Sequence, residues 1–224
     1  MRETKVCTPY IATLLAILVG IFAKLSLTTG ELLPGRDGPY YLVQVRSLLN
    51  NSTLAFSDLP LVFWVQVFFA KIFGNVQMAV RISDAVLPAI SAIPIFLISR
   101  KYEKPWLSVV AIPFVLLHPI QLYFFTGDFL KNEAAIPLVF FLVWVLLTIK
   151  DHSKVFTTLG LAAIFLMIAL SHFGTLLLAV LIFALWVFAQ SRSIELKLIF
   201  KSLGLILLIS GRSEEHTSEL QSQR

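Results

Sequence analysis

A chain of 224 residues that is 58% hydrophobic and only 14% charged, with 19 phenylalanines and a mean hydropathy of +0.86, is too apolar for a soluble domain. Its apolar runs are longer than core helices need and lack the alternation of a transmembrane β-barrel, so the class is an all-α, polytopic membrane protein. The formal charge is +5, and in such a chain a basic excess reports inward-facing loops and not nucleic acid.

A single cysteine, Cys7, excludes an internal disulfide and a cysteine metal cluster. Arg2 and Lys5 precede an apolar run, Pro9 to Leu27, which is too long for a signal-peptide core and reads as an uncleaved first span. Next comes the one long polar interval, Gly30 to Pro60, with Gly35-Arg36-Asp37-Gly38-Pro39-Tyr40-Tyr41 at its centre. Tyr40 to Asn50 has helical periodicity: Tyr41, Val45, Leu48 and Leu49 share one face, and Gln44, Ser47 and Asn51 the other. Leu61 to Phe73 is apolar but too short to span, and Gly74-Asn75 closes it. Both are predicted to be juxtamembrane helices lying at the outer interface.

Further spans are predicted at Val76–Ser99, Trp106–Phe125 and Ala134–Ile149. The run Val155–Ala189 would be roughly 50 Å long as one helix, against an apolar core of about 30 Å, so it reads as two spans folded at Ser171-His172-Phe173-Gly174. Another begins near Leu196, for about seven spans in all. The clusters Arg2/Lys5, Arg100/Lys101/Lys104, Lys150/Lys154 and Arg192/Lys197 then fall on one side, which predicts a cytoplasmic N-terminus. The outer side receives Gly30 to Pro60, Thr126 to Glu133 and the turn at His172. Residues 1–211 form one transmembrane unit. Arg212 to Ser222, RSEEHTSELQS, resembles a translated sequencing adapter, so the native chain is expected to end near Gly211, and 212–224 inform neither fold nor function.

Polar groups near a membrane need a reason to be there. Asp37, in a Gly/Pro turn, is either the cap of the following helix or a carboxylate serving as general base or metal ligand. Asp58, before Leu59-Pro60, reads as the cap of the second interfacial helix. Asp128, Lys131 and Glu133 are either a solvated connection or a second carboxylate beside a phosphate-binding cation. His172 is the outer-side histidine if His118 lies within a span. Arg81 and Asp84 are spaced to pair, and Arg81 is also suited to an anionic headgroup. Asn50-Asn51-Ser52-Thr53 holds two overlapping glycosylation acceptor patterns and reads as a turn. No nucleotide-binding glycine loop, Ser/His/Asp arrangement or zinc motif is present.

The order of these features resembles the N-terminal half of GT-C-fold membrane glycosyltransferases, the group of protein O-mannosyltransferases, aminoarabinose transferases of lipid A and oligosaccharyltransferase catalytic subunits. The carrying residues are the first-loop acid before an aromatic amphipathic helix, Leu59-Pro60-Leu61-Val62-Phe63-Trp64, Lys71-Ile72-Phe73-Gly74, Ala79-Val80-Arg81, and a span ending in Arg100-Lys101-Tyr102. Leu59-Pro60 stands where the family has paired prolines. The resemblance implies transfer of a sugar from a polyprenyl-phosphate donor to an acceptor hydroxyl or amide at the outer face of the plasma membrane. The acceptor is a protein, lipid or glycan. Asp37 and Asp128 are then the expected catalytic residues, and Lys131, His172, Arg81, Glu133 and Tyr40 the expected substrate-binding ones. A phosphate leaves readily but needs its charge neutralised, by Lys131 or by a divalent metal (Mg or Mn) held by Asp37 and Asp128. One base and one displacement predict inversion. The alternatives are a transporter or flippase for a lipid or solute, or a non-catalytic membrane subunit. Later spans of the family are absent from this stretch, and it is expected to be a fragment.

Overall fold

The computed structural model of the chain describes residues 4–26, 37–119, 123 and 129–190. Asp128, the expected span from Leu196 and the 212–224 segment lie outside them. Among the described residues the regular elements are helices: α1 (Thr4–Ser26), α2 (Gly38–Asn51), α3 (Leu61–Phe73), α4 (Val76–Ala89), α5 (Ala92–Lys101), α6 (Trp106–Leu116), α7 (Leu130–Leu147), α8 (Lys154–Ala169) and α9 (Phe173–Gln190). A short 3-10 turn, Ile149–Asp151, follows α7. The chain divides into a unit ending at Leu176 and a second beginning at Leu177, whose described part is the apolar remainder of α9.

Among the described residues three helical stretches are long and apolar enough to cross a membrane: Val76–Lys101, Leu130–Leu147 and Phe173–Gln190. The apolar helices Trp106–Leu116 and Lys154–Ala169 are shorter, and Tyr10–Ser26, the later part of α1, is apolar as well. The expected second span is one apolar stretch with a break at Ile90-Ser91. The cause is covalent: Pro94 has no N–H for the Ile90 carbonyl, which accepts from Ile93 at 3.1 Å instead. α7 starts four residues before the predicted span, at Leu130, which takes Lys131 and Glu133 out of the expected solvated connection and into a helical turn. Both side chains have ion-pair partners, and these let charged residues enter the packed helix.

Both segments expected at the interface are helices. Gly74 ends α3 at φ +65°, a left-handed conformation that suits glycine, and donates to the Ala70 carbonyl at 2.9 Å. Asn75 follows in extended backbone, and its side chain accepts from the Met78 N–H at 3.0 Å, so two residues both close α3 and cap α4. α2 ends at Asn51 with Ser52 in the left-handed region, so the Asn-Asn-Ser-Thr stretch is a helix terminus. One apolar core joins α2, α3, α4 and α7 through Tyr41, Val45, Phe63, Val80, Leu130 and Ala134. A second joins α1, α4, α5 and α6 through Ala16, Ala89, Ile95, Ile112 and Leu116. Gln44 corrects the periodicity: it was expected on the polar face and is fully buried. Its amide is satisfied there, as described below, so burial leaves no unpaired polar group.

α7 separates two polar ends. Past its C-terminus, Asp151 pairs with Lys101, which brings together two of the loops expected on one side of the membrane. At its N-terminus, roughly 27 Å away by helical rise, Lys131 meets the connection between α2 and α3.

Candidate active site

Asp58 is the hub of that second end. Its Oδ1 accepts the Leu59 N–H at 2.7 Å, and its carboxylate holds the Lys131 ammonium at 2.7 Å from Oδ2 and 3.0 Å from Oδ1. The Tyr40 hydroxyl donates to Oδ2 at 2.5 Å. Gln44, one helical turn beyond Tyr40, donates to the phenol oxygen at 2.8 Å and to the Phe56 carbonyl at 2.9 Å, while its own carbonyl accepts the Phe56 N–H at 3.0 Å. The amide thus ties α2 to the strand of chain that carries Asp58. Asp58 is therefore not the cap of α3, whose N-cap residue is Pro60. Its carboxylate is committed to Lys131 and Tyr40, which a reading confined to neighbouring residues misses. The usable signal is charge sign: an acid just before α3 and a cation just before the predicted span Ala134–Ile149.

Asp37 occupies the N-cap position of α2, half-buried, and its side chain makes no cap hydrogen bond. Of the two roles its sequence allowed, the cap is the one not taken up. It lies near Tyr40. Burial, the hydrogen bond to Asp58 and the charges of Asp58 and then Asp37 push the Tyr40 phenol far above its usual range, with Gln44 opposing, so Tyr40 keeps its proton and acts as a donor.

His172 enters from the turn between α8 and α9. The Leu61 N–H, an orphan donor at the start of α3, bonds the Leu170 carbonyl at 3.1 Å and ties that turn to the Asp58 segment. His172 Nδ1 accepts the Thr175 N–H at 3.1 Å and lies 3.0 Å from the Thr175 hydroxyl. The imidazole thus caps the first turn of α9, and the proton of its neutral form sits on Nε2. A Cβ on Gly174 would stand 3.0 Å from the ring, so glycine leaves the imidazole room to fold over the turn. Burial, then the Lys131 charge, push the His172 pKa down, with Asp58 opposing.

A histidine depressed in the folded state favours the neutral form, so its stability contribution is complete above the unfolded value of about 6.5 and is lost as pH falls towards the folded pKa. Thermal unfolding in detergent from about pH 8 to about pH 5.5 should therefore show a larger acid loss for the wild type than for His172→Asn, which retains a capping oxygen.

The structure brings Tyr40, Lys131 and His172 to one end with Asp58, beside Asp37. It places Glu133 elsewhere: its Oε1 accepts from the Lys24 ammonium at 2.8 Å, with both side chains essentially fully buried, 0% and 1% exposed. Arg81 is half-buried on α4, where Asp84 is buried. Among the described residues no group of three His, Cys, Asp or Glu could hold a metal ion, and Asp128 lies outside them.

The family model for dolichyl-phosphate-mannose-protein mannosyltransferases matches residues 57–211, more than half of the chain. The match includes Asp58, Lys131 and His172 and begins after Asp37 and Tyr40. Searches of curated proteins and of solved structures give no match.

Proposed function

We propose, from the premise that this chain belongs to the dolichyl-phosphate-mannose-protein mannosyltransferase family, that it is the N-terminal part of a multi-pass glycosyltransferase that takes its sugar from a polyprenyl-phosphate donor at the outer face of the plasma membrane. The family makes it a membrane glycosyltransferase of the mannosyltransferase kind, using a lipid-linked sugar and an acceptor. The GT-C fold, the polyprenyl phosphate and the orientation with a cytoplasmic N-terminus are part of the proposal.

The observation that carries it is the Lys131 ammonium held by the Asp58 carboxylate, which also accepts the Tyr40 hydroxyl, at the end of the bundle where Asp37 opens α2. Lys131 takes the donor phosphate, whose negative charge grows as the bond from the sugar's anomeric carbon to the phosphate oxygen breaks. Asp37 removes the proton of the acceptor hydroxyl as its oxygen bonds that carbon, and a single displacement inverts it. His172 offers its Nε2–H as a neutral donor, and Arg81 is the residue proposed to meet a lipid headgroup. Asp128 is the second acid, as a base or as a partner of Asp37 for a divalent metal.

The test is transfer of labelled mannose from polyprenyl-phosphate mannose in vesicles holding the longest available chain. Lys131→Met should raise the donor KM at least about tenfold, the loss of one charge-assisted hydrogen bond, with little change in acceptor KM. No transfer by the wild type, or an unchanged donor KM in the variant, overturns the reading.

A further inference from the structure

Lys131 and Glu133 occupy the same first turn of α7, two residues and about 200° apart, so they cannot serve the same side of the helix. Each reaches a distant segment. Lys131 bonds Asp58, 73 residues away, and Glu133 bonds Lys24, 109 residues away. Lys24 stands in the last turn of α1. Tyr40, in the first turn of α2, completes the connection through Asp58. The chain leaves α1 at Ser26 and reaches Asp37 at the start of α2, so both roots of this connection are tied to one turn of α7. The tie on the α1 side is a buried ion pair, a costly choice where apolar packing would hold two helices together.

We propose that Lys24 and Glu133 are positioning residues, forming with Lys131–Asp58 a two-sided clamp that sets Asp37 at its working distance from the Lys131 ammonium. The inference rests on the reading of Asp37 as the base and Lys131 as the phosphate partner. It assigns to Glu133 a role in geometry and not contact with substrate. The chemistry requires such a device. The base must meet the acceptor while the cation meets the leaving phosphate on the opposite side of the same anomeric carbon, and a misplacement of about 1 Å costs up to about 100-fold in rate. One helical turn gripping both roots removes that freedom, whereas apolar contacts alone permit sliding.

The experiment compares the wild type, Lys24→Met/Glu133→Met and Lys24→Arg in vesicles, with polyprenyl-phosphate mannose as donor. Folded molecules are counted by saturation binding of polyprenyl phosphate, which needs Lys131 but not the α1 pair. The apolar pair should bind polyprenyl phosphate as the wild type does and keep the donor KM, while kcat per bound molecule falls roughly 10- to 100-fold. Lys24→Arg should recover most of that kcat. An apolar pair with wild-type kcat overturns the clamp, as does a Lys24→Arg chain that binds polyprenyl phosphate but is no faster than the apolar pair. Asp37→Asn separates the two levels: if it loses transfer while the apolar pair does not, the clamp alone fails; if it transfers normally, the assignment of the base fails and the clamp with it.

Discussion

Lys24→Met alone is expected to destabilise the folded protein by about 3–5 kcal/mol, read from unfolding by sodium dodecyl sulfate titrated into mild-detergent micelles. The substitution preserves length and apolar packing but leaves the Glu133 carboxylate, fully buried, without its ammonium. A carboxylate in that position has lost its water and then loses the charge that replaced it. Lys24→Met/Glu133→Met removes both charges together, and its stability should return to within about 1 kcal/mol of the wild type or exceed it. The contrast isolates what the pair does. Its net contribution to folding is small, and the harm comes from breaking it on one side. A single variant as stable as the wild type would mean that Glu133 does not depend on Lys24, and the α1–α7 contact would then be apolar packing alone.

That pair also marks where sequence reading stops. Helix positions were legible because apolar periodicity and breakers are local: α3 begins at Leu61 and ends before Gly74-Asn75, and the long run beyond Val155 divides around His172. Partners were not legible because they depend on which helices pack together. Glu133 belongs with Lys24, and Asp58 with Lys131, across intervals that no spacing rule covers. Gln44 shows the same limit from another side. A polar residue goes to the wet face by default, but an amide that finds a phenol and both polar groups of the Phe56 backbone is satisfied in a dry place. The start of α7 was misjudged for a related reason: Lys131 and Glu133 lower the apparent apolar character of a turn whose ion pairs make it compatible with packing. The convergence of Tyr40, Lys131 and His172 is legible in the sequence only as a shared side; Asp58, the residue that joins two of them, reads locally as a helix cap.

Asp37→Asn is expected to lower kcat for sugar transfer by about 100- to 10,000-fold with little change in donor KM, measured in the vesicle assay with labelled polyprenyl-phosphate mannose. The substitution is nearly isosteric, and Asn is as good at a helix N-cap as Asp, so α2 and its core of Tyr41 and Val45 should be undisturbed and the unfolding transition unchanged. What disappears is the ability to accept a proton. The neighbouring groups do not replace it. Tyr40 is held protonated by burial and by Asp58, and Asp58 already accepts from Lys131, Tyr40 and the Leu59 N–H. His172 has its Nδ1 engaged by Thr175, and its Nε2 carries the proton of the neutral ring. Donor binding should persist because the phosphate partner, Lys131, is untouched. The combination of lost kcat, retained donor KM and retained stability therefore marks a base: a role at the helix N-cap would survive the change to Asn and leave turnover per folded molecule alone. Retained kcat in Asp37→Asn would remove the base from this end of the bundle, and the acceptor proton would then have to leave through Asp128 or another residue outside the described part of the chain.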